Sequence, residues 1–342
     1  MDASAERLQG SSSRLRLPRL GLGASVIGGL FRRIDDGTAQ AAIKAALDGG
    51  VIYVDTAPHY GRGLSERRVG DTLRGRPDVL VSTKVGRLMM PDEGVIDDRE
   101  RDGFFSAMPF SPHYDYTGDG VLRSFEASLH RLGLARIGLL LVHDIGKMVH
   151  GDRHEHYWNQ LTRGGGFAAL ERLRDEGAID GFGLGVNEIA VCHDAIQAAP
   201  LDAILLAGRY TLLEQTPLDR LFPACISAGV TVIAGGPYNS GILASGTRRG
   251  AAHYNYGEAP DGVVGRVRRM EELADAHGVP LAAAALQFPL AHPAVACVLP
   301  GLGDANQARQ TLDWFDLAIP AEFWTEMRDE GLLRGDAPLP FH

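Results

Sequence analysis

Eight short apolar runs, separated by helix-length segments along nearly the whole chain, constrain this sequence more than any other feature. They are LGLGAS (20–25), VIYVD (51–55), VLVSTK (79–84), IGLLLVH (137–143), IDGFGLGV (179–186), AILLAG (203–208), VTVIAG (230–235) and VACVLPG (295–301). Several are uninterrupted rather than alternating, which suits parallel strands buried on both faces. Helical stretches near Thr38–Asp48, Leu64–Leu73, Gly120–Leu132 and Gly165–Glu176 follow the first four runs. Repeated βα units of this kind build either a closed barrel or an open doubly wound sheet. The open sheet carries a Gly-x-Gly-x-x-Gly turn and a ribose-binding acid. GLGASVIGG (21–29) departs from that spacing, and Asp55, which ends the next run, suits another role better. The count of eight therefore predicts a (β/α)8 TIM barrel with a C-terminal helical extension. The long stretch 86–119 after the third run reads as an irregular loop. In a barrel such a loop lies on the C-terminal rim, where active sites sit.

Composition narrows the function class. The chain has 342 residues, 45% hydrophobic and 23% charged, enough for a large core. The expected division is a mobile lead-in over 1–17 and one barrel domain over 18–342. A net charge of −9 argues against broad nucleic-acid binding, which needs a basic face. No apolar run approaches the roughly 20 residues of a membrane span. The start, MDASAERLQGSSSRLRLP, has no apolar core after its charges, so a secretory signal is not expected. Cys192, Cys225 and Cys297 are scattered and fit no metal spacing, reading as reduced residues of a cytoplasmic protein. His150, His154 and His156 lie among charges and read as a solvated loop, so no metal site is expected. The expected partner is a small molecule; nothing in the residues speaks to oligomeric state.

Four polar residues stand at or just past early strand ends: Asp55, Tyr60 in DTAPHYG, Lys84 and His143. Each alone has a plain structural reading: a turn former, a packing ring, a solvated strand tip, a satisfied His143–Asp144 pair. In a parallel barrel, however, these ends converge on one rim, and together they make a chemical set. Hydride transfer to a carbonyl leaves an alkoxide that needs a proton, and the reverse reaction needs a base. A tyrosine hydroxyl near 10 is too weak an acid for this at neutral pH. A lysine ammonium in hydrogen-bond reach favours the phenolate and lowers that value. Tyr60 is thus the expected acid–base, Lys84 and Asp55 its tuning pair, and His143 the donor that orients the substrate oxygen.

The segment VDTAPHYGRGLSERRVGDTL, then STK, then SLHRLGLARIGLLLVHD, resembles the ordered motifs of the aldo-keto reductases. The likeness runs from about Leu20 to Leu317, and it puts Asp55, Tyr60, Lys84 and His143 at the family's four catalytic positions. The resemblance implies a nicotinamide dinucleotide held over the barrel mouth without a Rossmann turn. Asn187 in GVNE matches the residue that binds the nicotinamide carboxamide. The loop GGPYNSGIL (235–243), with Gly235, Gly236, Tyr238, Asn239, Ser240 and Gly241, resembles the one that wraps the diphosphate. Read without the likeness, it is equally a plain turn. VLPGLGDANQARQTL (298–312) resembles the adenosine-binding segment, with Gly301, Gln307 and Gln310 as candidates.

NADPH-preferring members commonly carry a Lys, a Ser and an Arg where this chain has Gly301, Leu302 and Gln307. Charge-assisted hydrogen bonds contribute about 1.5–3 kcal/mol each, so their loss predicts NAD rather than NADP. Two departures stand out: Gly235 replaces the aromatic residue that often stacks on the nicotinamide, and Gln310-Thr311 replaces a Glu-Asn pair. LLAGRYTLLEQ (205–215) and the GGPYNSG loop resemble the branch holding D-threo-aldose (L-fucose-type) 1-dehydrogenases and pyridoxal 4-dehydrogenase. That branch implies oxidation of a cyclic hemiacetal, such as L-fucose or D-arabinose, to its lactone; pyridoxal is the alternative. Phe31 and His113 are the candidate substrate-wall residues, with FFSAMPFSPHYDYTGDG (104–120) roofing the site or simply anchoring its own loop. A general NADPH-dependent aldehyde reductase and a non-catalytic cofactor-sensing barrel are the remaining alternatives.

Overall fold

A computed structural model describes residues 15–248 and 253–341. The eight runs form eight parallel strands: β1 (Leu22–Gly23), β2 (Tyr53–Asp55), β3 (Leu80–Val85), β4 (Leu139–His143), β5 (Gly181–Val186), β6 (Ala203–Ala207), β7 (Thr231–Gly235) and β8 (Val295–Leu299). Each pairs with the next in sequence. Bridges Leu20↔Val298 and Gly23↔Gly301 join β8 back to β1 and close the barrel. A closed sheet has no exposed edge, which is why strands this short suffice. The (β/α)8 barrel expected from the sequence is the fold observed.

The helices begin where capping residues allow. Asp35 accepts from Thr38 N, so the first helix starts at Asp36 rather than near Thr38. Thr117 accepts from Gly120 N and starts the third at Gly118. These helices pack outward-facing strand residues such as Val54, Leu140, Val142, Phe182 and Ile204 into the main core. The alternate residues point inward. Tyr53, Leu139, Leu141, Ala203, Leu205, Ile233, Cys297 and Leu299 fill the barrel interior, and Leu15 and Leu17 pack against them. The expected lead-in otherwise falls on residues 1–14, outside the described residues.

Two features depart from the sequence reading. The stretch 86–119 is not wholly irregular: Arg87–Pro91 and Phe110–Tyr114 pair as an antiparallel hairpin. Its strands, RLMMP and FSPHY, do not alternate apolar with polar residues, so the sequence pattern did not reveal it. The histidines after β4 are not a solvated loop either. His150 is buried among Tyr114, Tyr116 and Tyr157. The Tyr116 hydroxyl donates to His143 O at 2.7 Å, so His150 Nε2, at 2.9 Å, must donate to Tyr116. Burial holds this imidazole neutral, its pKa lowered to about 4. Among the described residues no His, Cys, Asp and Glu cluster is arranged to hold a metal, all three cysteines are free and buried, and no helix is long and apolar enough to cross a membrane.

Candidate active site

Side chains alternate along a strand, and this period places three of the four expected residues. Asp55 stands two residues above Tyr53, Lys84 two above Ser82, and His143 two above Leu141, all on the inward register. Lys84 Nζ donates to Asp55 Oδ2 at 2.7 Å and to Thr56 O at 3.0 Å. The pair is almost wholly buried, at 2% and 3% exposure. Asp55 is anchored on its other oxygen too: Ser82 Oγ donates to Oδ1 at 2.6 Å. A carboxylate only accepts, so the Ser82 proton is committed, and Tyr53, 2.9 Å away, must donate to Ser82. Gly185 makes room for the lysine stem; a Cβ there would lie 3.0 Å from Lys84 Cε.

Tyr60 lies in the turn after β2, its ring centroid 4.6 Å from Lys84 Nζ. His143 faces it edge-on at 5.9 Å between centroids, and Phe104 stacks on it at 5.9 Å. The structure thus brings the quartet together, but it corrects one expectation. Burial pushes the Tyr60 phenol well above 10, and the negative charges of Asp55 and Asp144 add to the rise. Lys84 does not reverse this because its hydrogen bonds go to Asp55 and Thr56. Tyr60 is therefore a neutral phenol in the ligand-free chain. His143 is neutral as well: burial first, then the Arg87 and Lys84 cations, hold it well below 6.5.

Several residues at this rim escaped the sequence reading. Arg87 is buried and ion-paired with Asp144, and Asp144 Oδ2 lies 3.5 Å from His143 Nε2. Arg87 follows Lys84 by three residues in KVGR, a signal visible in the sequence but unread. His59 meets His143 at 5.9 Å and Phe104 at 5.4 Å, and burial lowers its pKa to about 3. Tyr256 gave no signal, since it sits in a small hairpin inserted between β7 and β8.

The quartet lines a cavity of about 700 Å³ that opens on the barrel mouth. A second cavity, about 490 Å³, continues from it over the β7 and β8 ends. Phe31, Asn187, Gly236, Tyr256 and Gly301 border both, so the two form one bent trough. Gly235 lines the inner cavity, where a Cβ would lie 2.9 Å from Leu205 Cδ2. No aromatic side chain is built there; Tyr256 and Phe31 supply aromatic surface instead, 6.1 Å apart. Tyr238, Asn239, Ser240 and Gly241 line the outer cavity, as do Gln307 and Gln310. Gly236, Asn239, Ser240 and Gly241 all have positive φ, which bends the loop around the trough. Asn187 Nδ2 donates to Ala207 O at 3.1 Å and reaches Tyr256 OH at 3.4 Å. His113 is the misplaced expectation. It is exposed and outside the lining, because strand alternation turns its neighbours Pro112 and Tyr114 inward.

The model of the aldo/keto reductase family matches residues 19–330. The chain belongs to the aldo/keto reductase family. The pyridoxal 4-dehydrogenase of Microbacterium luteolum is 44% identical over 97% of this chain and 99% of its own length. The D-threo-aldose 1-dehydrogenase of a Pseudomonas species is 38% identical over 94% and 97%. Among solved structures, the glycerol dehydrogenase of Gluconobacter oxydans shares the fold, with TM-score 0.72 at 23% identity over 100% and 98%. This aldo-keto reductase is thus an oxidoreductase that works with a nicotinamide cofactor. Its bent trough fits such a group: glycines and positive-φ turns line the outer arm, and unpartnered buried nitrogens of His143 and His59 belong to residues lining the inner one.

Proposed function

We propose that this aldo-keto reductase is an NAD-dependent dehydrogenase that oxidises a cyclic hemiacetal to its lactone. Pyridoxal, which closes on its own hydroxymethyl group, is the first candidate, and an aldose such as L-fucose or D-arabinose the second. The observation that carries the reading is the quartet at the inner end of the trough, a buried phenol beside a charged lysine and a neutral histidine. The dehydrogenase names of the two most similar relatives reported above support the oxidative direction.

The chain's own groups divide the work. His143, neutral, can donate one N–H to the substrate oxygen and fix it against Tyr60. Lys84 and Asp55 hold a charged pair under the Tyr60 ring, so that a phenolate formed there is met by a cation already in place. Tyr60, once it has given up its own proton to solvent, takes the hemiacetal hydroxyl proton as phenolate; the carbon–hydrogen bond then releases its electron pair and the lactone carbonyl forms. The bound nicotinamide supplies the two-electron hydride acceptor. Phe104, buried against the Tyr60 ring, helps exclude water from this end. Asn187 would hold the carboxamide end, and Gly236 to Gly241 the diphosphate.

The preference for NAD rests on the outer arm. Among the described residues its only charged lining residue is Arg32, ion-paired with Asp304 at 3.3 Å. Asp304 already accepts from Asn306 N and Gln307 N at the start of its helix. Gln307 Oε1 is taken by Gly303 N. A 2′-phosphate would meet Arg32 with its charge already offset by Asp304, and no second cation among the described lining residues. The test is steady-state oxidation of pyridoxal, L-fucose and D-arabinose with NAD and, separately, with NADP, at neutral to alkaline pH. NAD-linked turnover of one of the three is expected. Turnover confined to NADPH and simple aldehydes would contradict both the cofactor and the direction.

A further inference from the structure

The inner cavity has a cation that the proton chemistry leaves over. Among the described residues two positively charged side chains line it, Lys84 and Arg87. Lys84 is committed to Asp55 and Thr56 O. Arg87 is 4% exposed and donates through one terminal nitrogen to Asp144, yet its Nε has no acceptor. A buried guanidinium N–H without a partner is costly, about 1–3 kcal/mol for an ordinary group and more for a charged one. Its position is nevertheless held from two sides. Tyr114 pairs with Arg87 across the hairpin and lies 5.5 Å below the guanidinium. Asp144, held at φ 44°, turns one oxygen, Oδ2, toward both Arg87 and His143, whose Nε2 lies 3.5 Å from it. That conformation is strained for an aspartate, and strain of this kind persists where the surroundings impose it. The arrangement keeps a cation beside the histidine that fixes the reacting oxygen.

We propose that Arg87 is the substrate-selecting residue, binding an ionised oxygen that the substrate carries beside its reacting carbon. The inference rests on the hemiacetal reading above and deepens it. A guanidinium is satisfied best by an anionic oxygen. It therefore favours a hydroxypyridine aldehyde, whose acidic ring hydroxyl flanks the aldehyde-bearing carbon, over an aldose with only neutral hydroxyls. The nearby Asp144 carboxylate leaves Arg87 fixed in place but with donors to spare for one such oxygen.

The experiment compares pyridoxal with 3-deoxypyridoxal, which keeps the hemiacetal and lacks the ring oxygen, in the native enzyme, Arg87→Met and Arg87→Lys. A charge-assisted bond of about 1.5–3 kcal/mol corresponds to a loss of about 10- to 150-fold. Arg87→Met is expected to lose that much kcat/KM on pyridoxal and less than about 3-fold on the deoxy analogue, with Arg87→Lys between. Because Arg87→Met leaves Asp144 buried without a cation, Arg87→Met/Asp144→Asn is carried alongside and thermal melts check folding. A second readout needs no turnover: titrating pyridoxal into the protein should shift the ring absorbance toward the phenolate form in the native chain and in neither Met variant. Equal losses on both aldehydes would overturn the role of Arg87 and leave the dehydrogenase reading standing. A native preference for L-fucose over pyridoxal would overturn the selection of an anionic oxygen while keeping hemiacetal oxidation. Absence of turnover with every hemiacetal would sink the functional reading, and the absorbance titration would then decide Arg87 on its own.

Discussion

The two arms of the trough are built on different principles. The inner arm stands on strand ends: Asp55, Lys84 and His143 rise from a sheet whose register leaves them no choice of direction, and the Lys84–Asp55 and Arg87–Asp144 charges there are buried in pairs. The outer arm stands on loops, Gly236 to Gly241 and the start of the Ala305–Phe315 helix, and the one cation among its described lining residues, Arg32, sits in a half-exposed pair. Chemistry that needs groups held to a fraction of an ångström sits on the rigid part. Recognition of a long cofactor sits on backbone turns that tolerate sequence change. The difference teaches that proton transfer and cofactor choice should be separable by mutation.

The strongest way to break this separation is at the buried pair. Lys84→Met leaves Asp55 without a cation, so we expect a loss of about 3–5 kcal/mol in denaturant melts and a fall in turnover of about 10²–10⁴-fold. In the outer arm, Gln307→Arg with Asp304→Thr should tighten NADP about 10- to 100-fold by calorimetric titration. NAD affinity and stability should stay nearly unchanged. At the junction, Tyr256→Ala removes the aromatic neighbour of Phe31 and the reach to Asn187. An aromatic pair is worth about 0.5–1.5 kcal/mol, so NAD affinity should weaken by about 3- to 10-fold, read by the same titration.

Acid pH should act on the inner arm through His59. His59 has a folded pKa of about 3, below its ordinary 6.5, so the unfolded chain takes up the proton first. Its contribution is full above pH 6.5 and is lost as pH falls from there toward 3. His59→Gln should flatten the decline in stability between pH 7 and pH 4 in urea melts; an unchanged slope would place that acid sensitivity elsewhere.

The same division explains what the sequence could and could not tell. The barrel was legible because buried parallel strands leave uninterrupted apolar runs, and the quartet because strand ends in a barrel must converge. The loop residues of the outer arm were legible only through family likeness, since Gly236, Asn239 and Ser240 look like any turn. His113 was misjudged because the hairpin that turns it outward was not foreseen. Tyr256 and Phe31 meet across more than 200 residues of sequence, and no local pattern announces such a contact. The raised Tyr60 pKa was missed for a physical reason: the lysine was counted as a hydrogen-bond neighbour of the hydroxyl, whereas its hydrogen bonds go to Asp55 and Thr56 and burial outweighs its charge.

The most direct test of the account is Tyr60→Phe, assayed for NAD-linked oxidation from pH 7 to pH 10 and titrated with NAD by calorimetry. Because burial holds the phenol above 10, native kcat/KM should climb with pH across this range as the phenolate fraction grows. The variant should be flat and about 10²–10⁴-fold slower, with NAD affinity unchanged within about 2-fold. A variant that keeps its turnover, or that keeps the rising pH profile, would contradict the assignment of Tyr60 as the group that carries the proton.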